Sequence, residues 1–131
     1  MVGAEAPSTV ALDSNFLVRA RRESSEEGRR LEGWLKAGEI VHVSAIAWSE
    51  YRCGPLAHDE LVITRKLISS IDAFTEQDAD LAATLFNDTG RRSRTHADCM
   101  IAAHAIRRAA ALATNNMADF RPFQKFGLQL A

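Results

Sequence analysis

Residues 9 to 15 read Thr9-Val10-Ala11-Leu12-Asp13-Ser14-Asn15. The uncharged run from Thr9 to Leu12 is typical of a short buried strand, which would end at Asp13. Ser14 and Asn15 have side chains that cap helices, so we predict a helix from Phe16 onward. Because ligands of α/β proteins bind at the carboxyl ends of the strands, Asp13 is the first candidate site residue.

The next segment predicts a helix followed by a second strand. Ser24 and Glu27 have the spacing of a capping box that opens a helix, and Gly38 is placed to end it. The apolar residues from Ile40 to Val43 then predict the second strand.

Strands and helices continue to alternate beyond this point. Ser44 follows the second strand and precedes a predicted helix that contains Glu50 and ends at Gly54-Pro55. In order, we then predict a helix over 56–67, a short strand over 71–74, a helix from a Thr75–Asp78 capping box to Gly90, a helix over 95–108, a strand over 111–114 and a strand over 126–130.

This alternation predicts an α/β fold. Strands separated by helices require crossover connections, which produce a mainly parallel central sheet covered by helices on both faces. The length of 131 residues is that of one ordinary domain, so we expect a single domain over residues 1–131 with 1–8 as a flexible leader.

Composition and charge describe a globular protein without a general affinity for nucleic acid. The chain is 47% hydrophobic and 25% charged, with a net charge of −1. Nucleic-acid binding would therefore need a local basic patch. Of the 16 basic residues 13 are arginines, and they cluster at Arg19, Arg21 and Arg22, at Arg91, Arg92 and Arg94, and at Arg107 and Arg108. These clusters are either phosphate sites or solvated helix faces.

The cysteines and the hydropathy pattern indicate a cytoplasmic protein. Cys53 and Cys99 have no paired spacing, so neither a zinc site nor a disulfide framework is indicated, and a reducing cytoplasm suits them. No apolar run is long enough to span a membrane, so we expect no membrane association.

Three more acids join Asp13 as candidates, and each also has a structural explanation. Asp13 can be an N-cap, and Asp98 completes an acidic capping box that begins at Thr95. Glu50 can be a surface residue, and Asp119 can cap a turn. Asp98 nevertheless precedes a run of small apolar residues, where an acid needs a partner such as a bound cation. Together the acids favour a metal-dependent enzyme with oxygen ligands.

Other chemistries have less support. No HExxH, GxSxG or P-loop motif occurs, which argues against zinc proteolysis, serine hydrolysis and P-loop nucleotide hydrolysis. The four histidines are scattered, and His104 on an apolar helix face is better explained as a core residue with a hydrogen-bond partner.

The segments around Asp13, Glu50, Asp98 and Asp119 together resemble the PIN-domain ribonucleases, and most closely the VapC-type toxins of bacterial toxin–antitoxin pairs. The resemblance rests on Leu12-Asp13-Ser14-Asn15-Phe16-Leu17, on Ser44 with Glu50 six positions later, on His96-Ala97-Asp98-Cys99-Met100-Ile101-Ala102-Ala103, and on Leu112-Ala113-Thr114-Asn115-Asn116 followed by Asp119-Phe120. It covers nearly the whole chain.

The resemblance implies a three-layer α/β/α sandwich and an endoribonuclease that uses Mg²⁺ or Mn²⁺. It implies that Asp13 and Asp98 are direct metal ligands, and that Glu50 is a ligand or a base acting through water. Thr114, Asn116 and Asp119 would hold a second ion or orient water, with Asn15 beside them as an orienting residue. Many members have Asp where this chain has Asn116, so either Asn116 or Asp119 completes the site.

The resemblance also implies partners: an RNA substrate, a cognate VapB-like antitoxin and a second subunit in a homodimer. Two other functions stay open. One is a catalytically silent PIN-like module that binds RNA or protein. The other is a haloacid-dehalogenase-type phosphatase, which needs a second Asp at the position of Asn15.

Overall fold

The protein is built on one parallel β-sheet, seen in a computed structural model that describes residues 8–131. Its strands are β1 (Thr9–Leu12), β2 (Ile40–Ser44), β3 (Ser70–Asp72), β4 (Ala111–Ala113) and β5 (Gln129–Leu130). Their order across the sheet is β3-β2-β1-β4-β5, and every neighbouring pair is parallel. The predicted leader, apart from Ser8, lies outside the described residues.

Helices connect the strands and pack on the sheet, giving the predicted α/β sandwich. They are α1 (Ser14–Ala20), α2 (Glu26–Lys36), α3 (Ala45–Arg52), α4 (His58–Leu67), α5 (Glu76–Asp88), α6 (His96–Arg107) and α7 (Met117–Phe120), with 3₁₀ helices at Ser93–Thr95 and Arg121–Phe126. None of the helices in the described part of the chain has the length and apolar character that a bilayer crossing requires.

The core lies on both faces of the three central strands. Val10, Ala11 and Leu12 of β1 are all buried, because a strand in the middle of a parallel sheet is covered on both sides. On α6, the run Ala102-Ala103 is fully buried, and side chains this small let the helix backbone lie close to its neighbours.

The starts of α1 and α2 differ from the prediction. Helix α1 begins at Ser14 and not at Phe16, because Asp13 itself is the N-cap. Helix α2 is capped by Ser25, whose hydroxyl accepts a hydrogen bond from the Gly28 amide at 2.9 Å. The predicted capping box from Ser24 is wrong, since Ser24 has a left-handed backbone with φ 58° and a cap residue needs an extended one.

Several element boundaries also differ. The edge strand β3 covers 70–72 instead of 71–74, and α4 starts at His58, two residues after the predicted start at Leu56. The last strand has only two residues, because Arg121–Phe126 forms a 3₁₀ helix with Pro122 in its first turn. Proline suits a first helical turn because that position needs no amide donor.

A partly buried polar cluster joins β2, β3 and α6. Asp72 accepts hydrogen bonds from Ser70 Oγ at 2.7 Å and from His104 Nε2 at 2.7 Å, and His42 Nδ1 lies 2.8 Å from it. Burial lowers the pKa of His104, so its neutral ring donates to the carboxylate. The prediction that His104 is a core residue with a partner is confirmed.

A second carboxylate ties the start of α5 to the end of α6. Asp78 is 0% exposed and forms the predicted capping box with Thr75. It also accepts hydrogen bonds from Arg107 at 3.0 Å and Arg108 at 3.1 Å. Burial alone would raise the pKa of Asp78, but the hydrogen bonds from Arg108, from the Thr75 amide and from Arg107 outweigh it and hold the pKa well below its usual range.

We expect Asp78→Asn to destabilise the fold by about 2–4 kcal/mol at neutral pH, because it leaves two arginines without their carboxylate. Since the folded pKa of Asp78 is lowered, the ionised carboxylate contributes stability above about pH 4 and this contribution is lost on further acidification. Urea unfolding measures the difference.

The matched control for this change is Asp80→Asn, an exposed position on the same helix, which should change stability by less than about 0.5 kcal/mol. An equal effect of the two substitutions at neutral pH would contradict a role of Asp78 in joining the helices.

Candidate active site

The carboxyl edge of the sheet brings the candidate residues of β1, β2 and β4 to one place. Leu12 is in register with Ala113, and the Asp13 amide donates to the Ala113 carbonyl at 3.1 Å. Asp13 and Thr114 therefore follow neighbouring strands side by side. Ser44 ends β2 and caps α3 by accepting a hydrogen bond from the Ala47 amide at 3.0 Å. This places Glu50 in the second turn of α3.

Asp13 is both a helix cap and a buried charge. Its Oδ1 accepts a hydrogen bond from the Phe16 amide at 2.8 Å, and its Oδ2 accepts one from the Thr114 hydroxyl. Asp13 is only 3% exposed, and this burial raises the pKa of its carboxyl although the hydrogen bonds lower it. Each carboxylate oxygen keeps a second lone pair, so the cap does not exhaust its capacity to bind a ligand.

Thr114 holds Asp13 in place. Its hydroxyl donates to Asp13 and accepts a hydrogen bond from the Asn116 amide at 3.0 Å, and the residue is 5% exposed. Both functions of the hydroxyl are therefore used inside the protein. The structure makes Thr114 a positioning residue for the carboxylate, while the Asn116 side chain is on an exposed residue at the start of α7.

Glu50 lies at the exposed side of the site. The Ser14 hydroxyl donates to its Oε1 at 3.3 Å, a long hydrogen bond. Partial burial raises the pKa of Glu50, and the charge of Asp13 adds to the effect. The sequence predicts Ser14 only as a helix-capping residue and does not predict its contact with Glu50. The position of Ser14 directly after Asp13 is the one feature of the sequence that places it at the site.

Asp98 is not part of a capping box. Thr95 makes no side-chain hydrogen bond to the first turn of α6, and its hydroxyl donates instead to the Arg92 carbonyl at 2.7 Å. The predicted Thr95–Asp98 box is therefore wrong, because the 3₁₀ helix that precedes α6 turns Thr95 toward its own loop. The Asp98 carboxylate is left for other interactions.

The four acids influence one another through Asp98. The pKa of Asp98 is raised to about 6, mainly by burial and further by the charges of Asp119, Glu50 and Asp13, in that order. Like charges have this effect only at short range in a partly desolvated site. The fold therefore gathers all four predicted acids, although they come from four separate segments of the chain.

A cavity of about 540 Å³ opens beside these acids. Asp98 and Asp119 line it, together with Arg92 and Arg94 from the segment before α6. Asp13 and Glu50 are not among the residues that line the cavity. Asn15 is exposed, and the hydrogen bond from its backbone amide to Asp13 partly offsets the rise in the pKa of that carboxyl.

The donor chemistry fits a hydrated hard cation better than a closed metal cage. Within residues 8–131, no three His, Cys, Asp or Glu side chains are grouped closely enough to enclose an ion. Mg²⁺ keeps several waters and is commonly bound through one or two carboxylates plus substrate phosphate. The ligands on offer are oxygens, and their mutual repulsion gives a cation a favourable place.

Comparison with known proteins places the fold. A sequence model of the PIN domain matches residues 10–122. Among solved structures, the chain is similar to VapBC2 from Rickettsia felis bound to a promoter DNA fragment, with a TM-score of 0.72, 23% identity and coverage of 94% of this chain and 97% of that chain. DNA-bound VapBC from Salmonella typhimurium has a TM-score of 0.68, 23% identity and coverage of 95% and 97%.

A toxin–antitoxin complex from Klebsiella pneumoniae has a TM-score of 0.67 at 24% identity, with coverage of 86% of this chain and 90% of that chain. At identities below 25%, the TM-scores show that this chain shares the fold of these proteins. A search of curated proteins found no match.

We expect Asp98→Asn to stabilise the metal-free protein at pH 7.5 by about 1–2 kcal/mol, allowing for solvent screening of the charge. The folded pKa of about 6 lies above the unfolded value, so the ionised carboxylate costs stability above pH 6 and the cost disappears as the pH falls. Thermal melts in EDTA at several pH values measure it.

Added Mg²⁺ should reduce the difference in folding stability between the wild-type protein and Asp98→Asn, because a bound cation stabilises the ionised carboxylate of the wild-type protein. Asp80→Asn is again the control for the loss of one exposed negative charge. A variant less stable than the wild-type protein in EDTA at pH 7.5 would show that Asp98 is not in a repulsive cluster.

Proposed function

The chain belongs to the PIN-domain family, and on this premise we propose that it is a metal-dependent endoribonuclease that hydrolyses RNA phosphodiester bonds. The observation that carries the proposal is geometric: Asp13 and Thr114 follow neighbouring strands at the carboxyl edge of the sheet and are joined by a hydrogen bond. Ser14, beside Asp13, donates a hydrogen bond to Glu50, and Asp98 lies close enough to the other acids for their charges to raise its pKa. Four carboxylates that repel one another lower the stability of the fold, whereas a divalent cation in a nuclease site is bound by such a group of acids.

Mg²⁺ or Mn²⁺ would be held by Asp13 and Asp98, with Glu50 and Asp119 at the outer side of the site. When bound, such an ion neutralises phosphate charge and makes a coordinated water more acidic. Asp13 is fixed by the Phe16 amide and the Thr114 hydroxyl, so its free lone pairs point in one direction. This fixed orientation spares the site from reorganising during the reaction.

Glu50 is suited to take a proton from the attacking water, because its pKa is raised and its residue is exposed. The water oxygen bonds to phosphorus, the bond from phosphorus to the leaving ribose oxygen breaks, and that oxygen receives a proton. The alternative role of Glu50 as a direct metal ligand uses the same carboxylate, and the Ser14 hydroxyl orients it in either case.

Asp119 is the better candidate to complete the site, in preference to Asn116. Its charge is the largest single-charge contribution to the raised pKa of Asp98, and it lines the same cavity. Asn116 contributes its backbone amide to Thr114, and its side chain forms no cap on α7. Asn15 and Asn116 remain predicted orienting residues for substrate or water.

The physiological setting that we propose is that of a toxin paired with an antitoxin. The similar solved structures include VapBC and other toxin–antitoxin complexes, which supports a VapB-like antitoxin as partner. A homodimer as the working unit stays a prediction. Two free cysteines suit the cytoplasm, where the RNA substrate is found. The family assignment gives no support to a haloacid-dehalogenase phosphatase.

We expect Asp13→Asn and Asp98→Asn each to reduce cleavage of single-stranded RNA in Mg²⁺ or Mn²⁺ by at least about a hundredfold, because each removes a charge that binds the cation. Asparagine is chosen at position 13 because its side-chain oxygen still accepts the hydrogen bond from the Phe16 amide. EDTA should abolish wild-type cleavage, and a gel assay with labelled RNA measures all three.

Circular dichroism melts establish that the variants are folded, and Asp80→Asn is the active control. Cleavage that survives EDTA and both substitutions would reject the metal mechanism. Binding of RNA without any cleavage by the wild-type protein would instead favour the catalytically silent module.

We expect Asp119→Asn to raise the Mg²⁺ concentration for half-maximal cleavage by about tenfold, and Asn116→Ala to raise it less than about twofold. The reason is that Asp119 faces Asp98 with a full charge, whereas Asn116 offers at most a neutral oxygen. Metal titrations of cleavage rate compare the two variants, and the opposite ranking would assign the fourth oxygen to Asn116.

A further inference from the structure

The three arginine clusters of this chain have different surroundings, and the difference identifies which of them is free to bind phosphate. Arg107 and Arg108 are already committed, because both donate to the buried carboxylate of Asp78. Arg108 also lies 3.4 Å from Asp72. A guanidinium that donates to a buried carboxylate has its charge neutralised and fewer donors left for a further anion.

The cluster of Arg19, Arg21 and Arg22 is displaced from the acids, since Arg19 lies in the last turn of α1 and the other two follow it. Helix α1 begins at Ser14 next to Asp13 and runs for seven residues, which is about 10 Å along its axis. Arg21 and Arg22 follow the far end of that helix. They are therefore separated from the carboxyl edge of the sheet by the length of α1.

Arg92 and Arg94 combine proximity to the acids with free donors. Both are exposed and both line the 540 Å³ cavity that contains Asp98 and Asp119. Within residues 8–131, neither guanidinium takes part in an ion pair or a side-chain hydrogen bond. Two arginines thus face a cavity shared with two carboxylates without being neutralised by them.

The start of α6 adds possible anion-binding groups to the same cavity. Thr95 lines the cavity, and as N-cap it makes no side-chain hydrogen bond to the first-turn amides. These amides and the helix dipole favour an anion near the helix start. The volume is in the range of sites that hold a small molecule, and is enough for one nucleotide unit of a strand.

We propose that Arg92 and Arg94 form a phosphate subsite that binds a backbone phosphate of single-stranded RNA next to the phosphate being cleaved. The proposal rests on the proposed ribonuclease function and adds the path of the substrate, which passes over the segment between α5 and α6. Arginine forks bind phosphate oxygens in pairs and position the strand without selecting its bases. A chain with a net charge of −1 can then bind RNA through one local patch.

The test measures binding separately from cleavage. Asp13→Asn protein, which keeps the cavity lining intact, is titrated in Mg²⁺ against a labelled single-stranded RNA of about 12 nucleotides by fluorescence anisotropy. Arg92→Gln and Arg94→Gln are introduced separately into this background. The matched control is Arg91→Gln, since Arg91 is exposed and adjacent but does not line the cavity.

We expect each of Arg92→Gln and Arg94→Gln to weaken RNA binding by about five- to tenfold at about 0.1 M salt, and to reduce the slope of log Kd against log salt by about one. Arg91→Gln should change the affinity less than about twofold. Equal effects of all three substitutions, or no effect of any, would overturn the subsite.

A parallel cleavage assay with the otherwise wild-type protein separates the two proposals. Cleavage that persists while Arg92 and Arg94 behave like Arg91 rejects the subsite and leaves the ribonuclease assignment standing. If the wild-type protein cleaves no RNA, but Arg92→Gln and Arg94→Gln still weaken RNA binding and Arg91→Gln does not, the subsite is supported and the ribonuclease assignment is rejected.

Discussion

The buried carboxylate of Asp13 is the interaction on which the rest of the site depends. It caps α1 through the Phe16 amide, and it accepts the hydroxyl of Thr114 from the end of the neighbouring strand β4. One side chain therefore links a strand, the helix that follows it and the next strand across. Because it is almost completely buried, its charge is poorly solvated, which favours a cation as its partner.

Carboxylates in this fold are treated in two opposite ways. At the carboxyl edge of the sheet, burial raises the pKa values of Asp13, Glu50 and Asp98, and neighbouring acids add to the rise at Glu50 and Asp98. Between α5 and α6, Asp78 has a lowered pKa because two arginines and a backbone amide bind it. The charges of the first group cost stability, which is typical of functional sites, whereas the charge of Asp78 contributes stability to the packing of α5 on α6.

The errors of the sequence-based predictions have a common physical cause. The serine that caps α2 and the residue that begins α1 each differed from the prediction by one or two positions, because several capping residues stand in a row and only the backbone conformation selects one. Thr95 and Asp98 have the spacing of a capping box, yet the preceding 3₁₀ turn directs the threonine elsewhere. Thr75 and Asp78 have the same spacing and do form the box.

The sequence by itself determined the α/β class and the parallel sheet, because strand and helix periodicity are local properties. It also nominated the four acids, Asp13 by its position after a strand and the set of four by the resemblance of their segments to the PIN-domain family. Only the tertiary structure decided which acid affects which, that Ser14 contacts Glu50, and that Arg92 and Arg94 stay free while Arg107 and Arg108 are neutralised. These outcomes depend on contacts between segments that are remote along the chain, and on the burial that strengthens electrostatic interactions there.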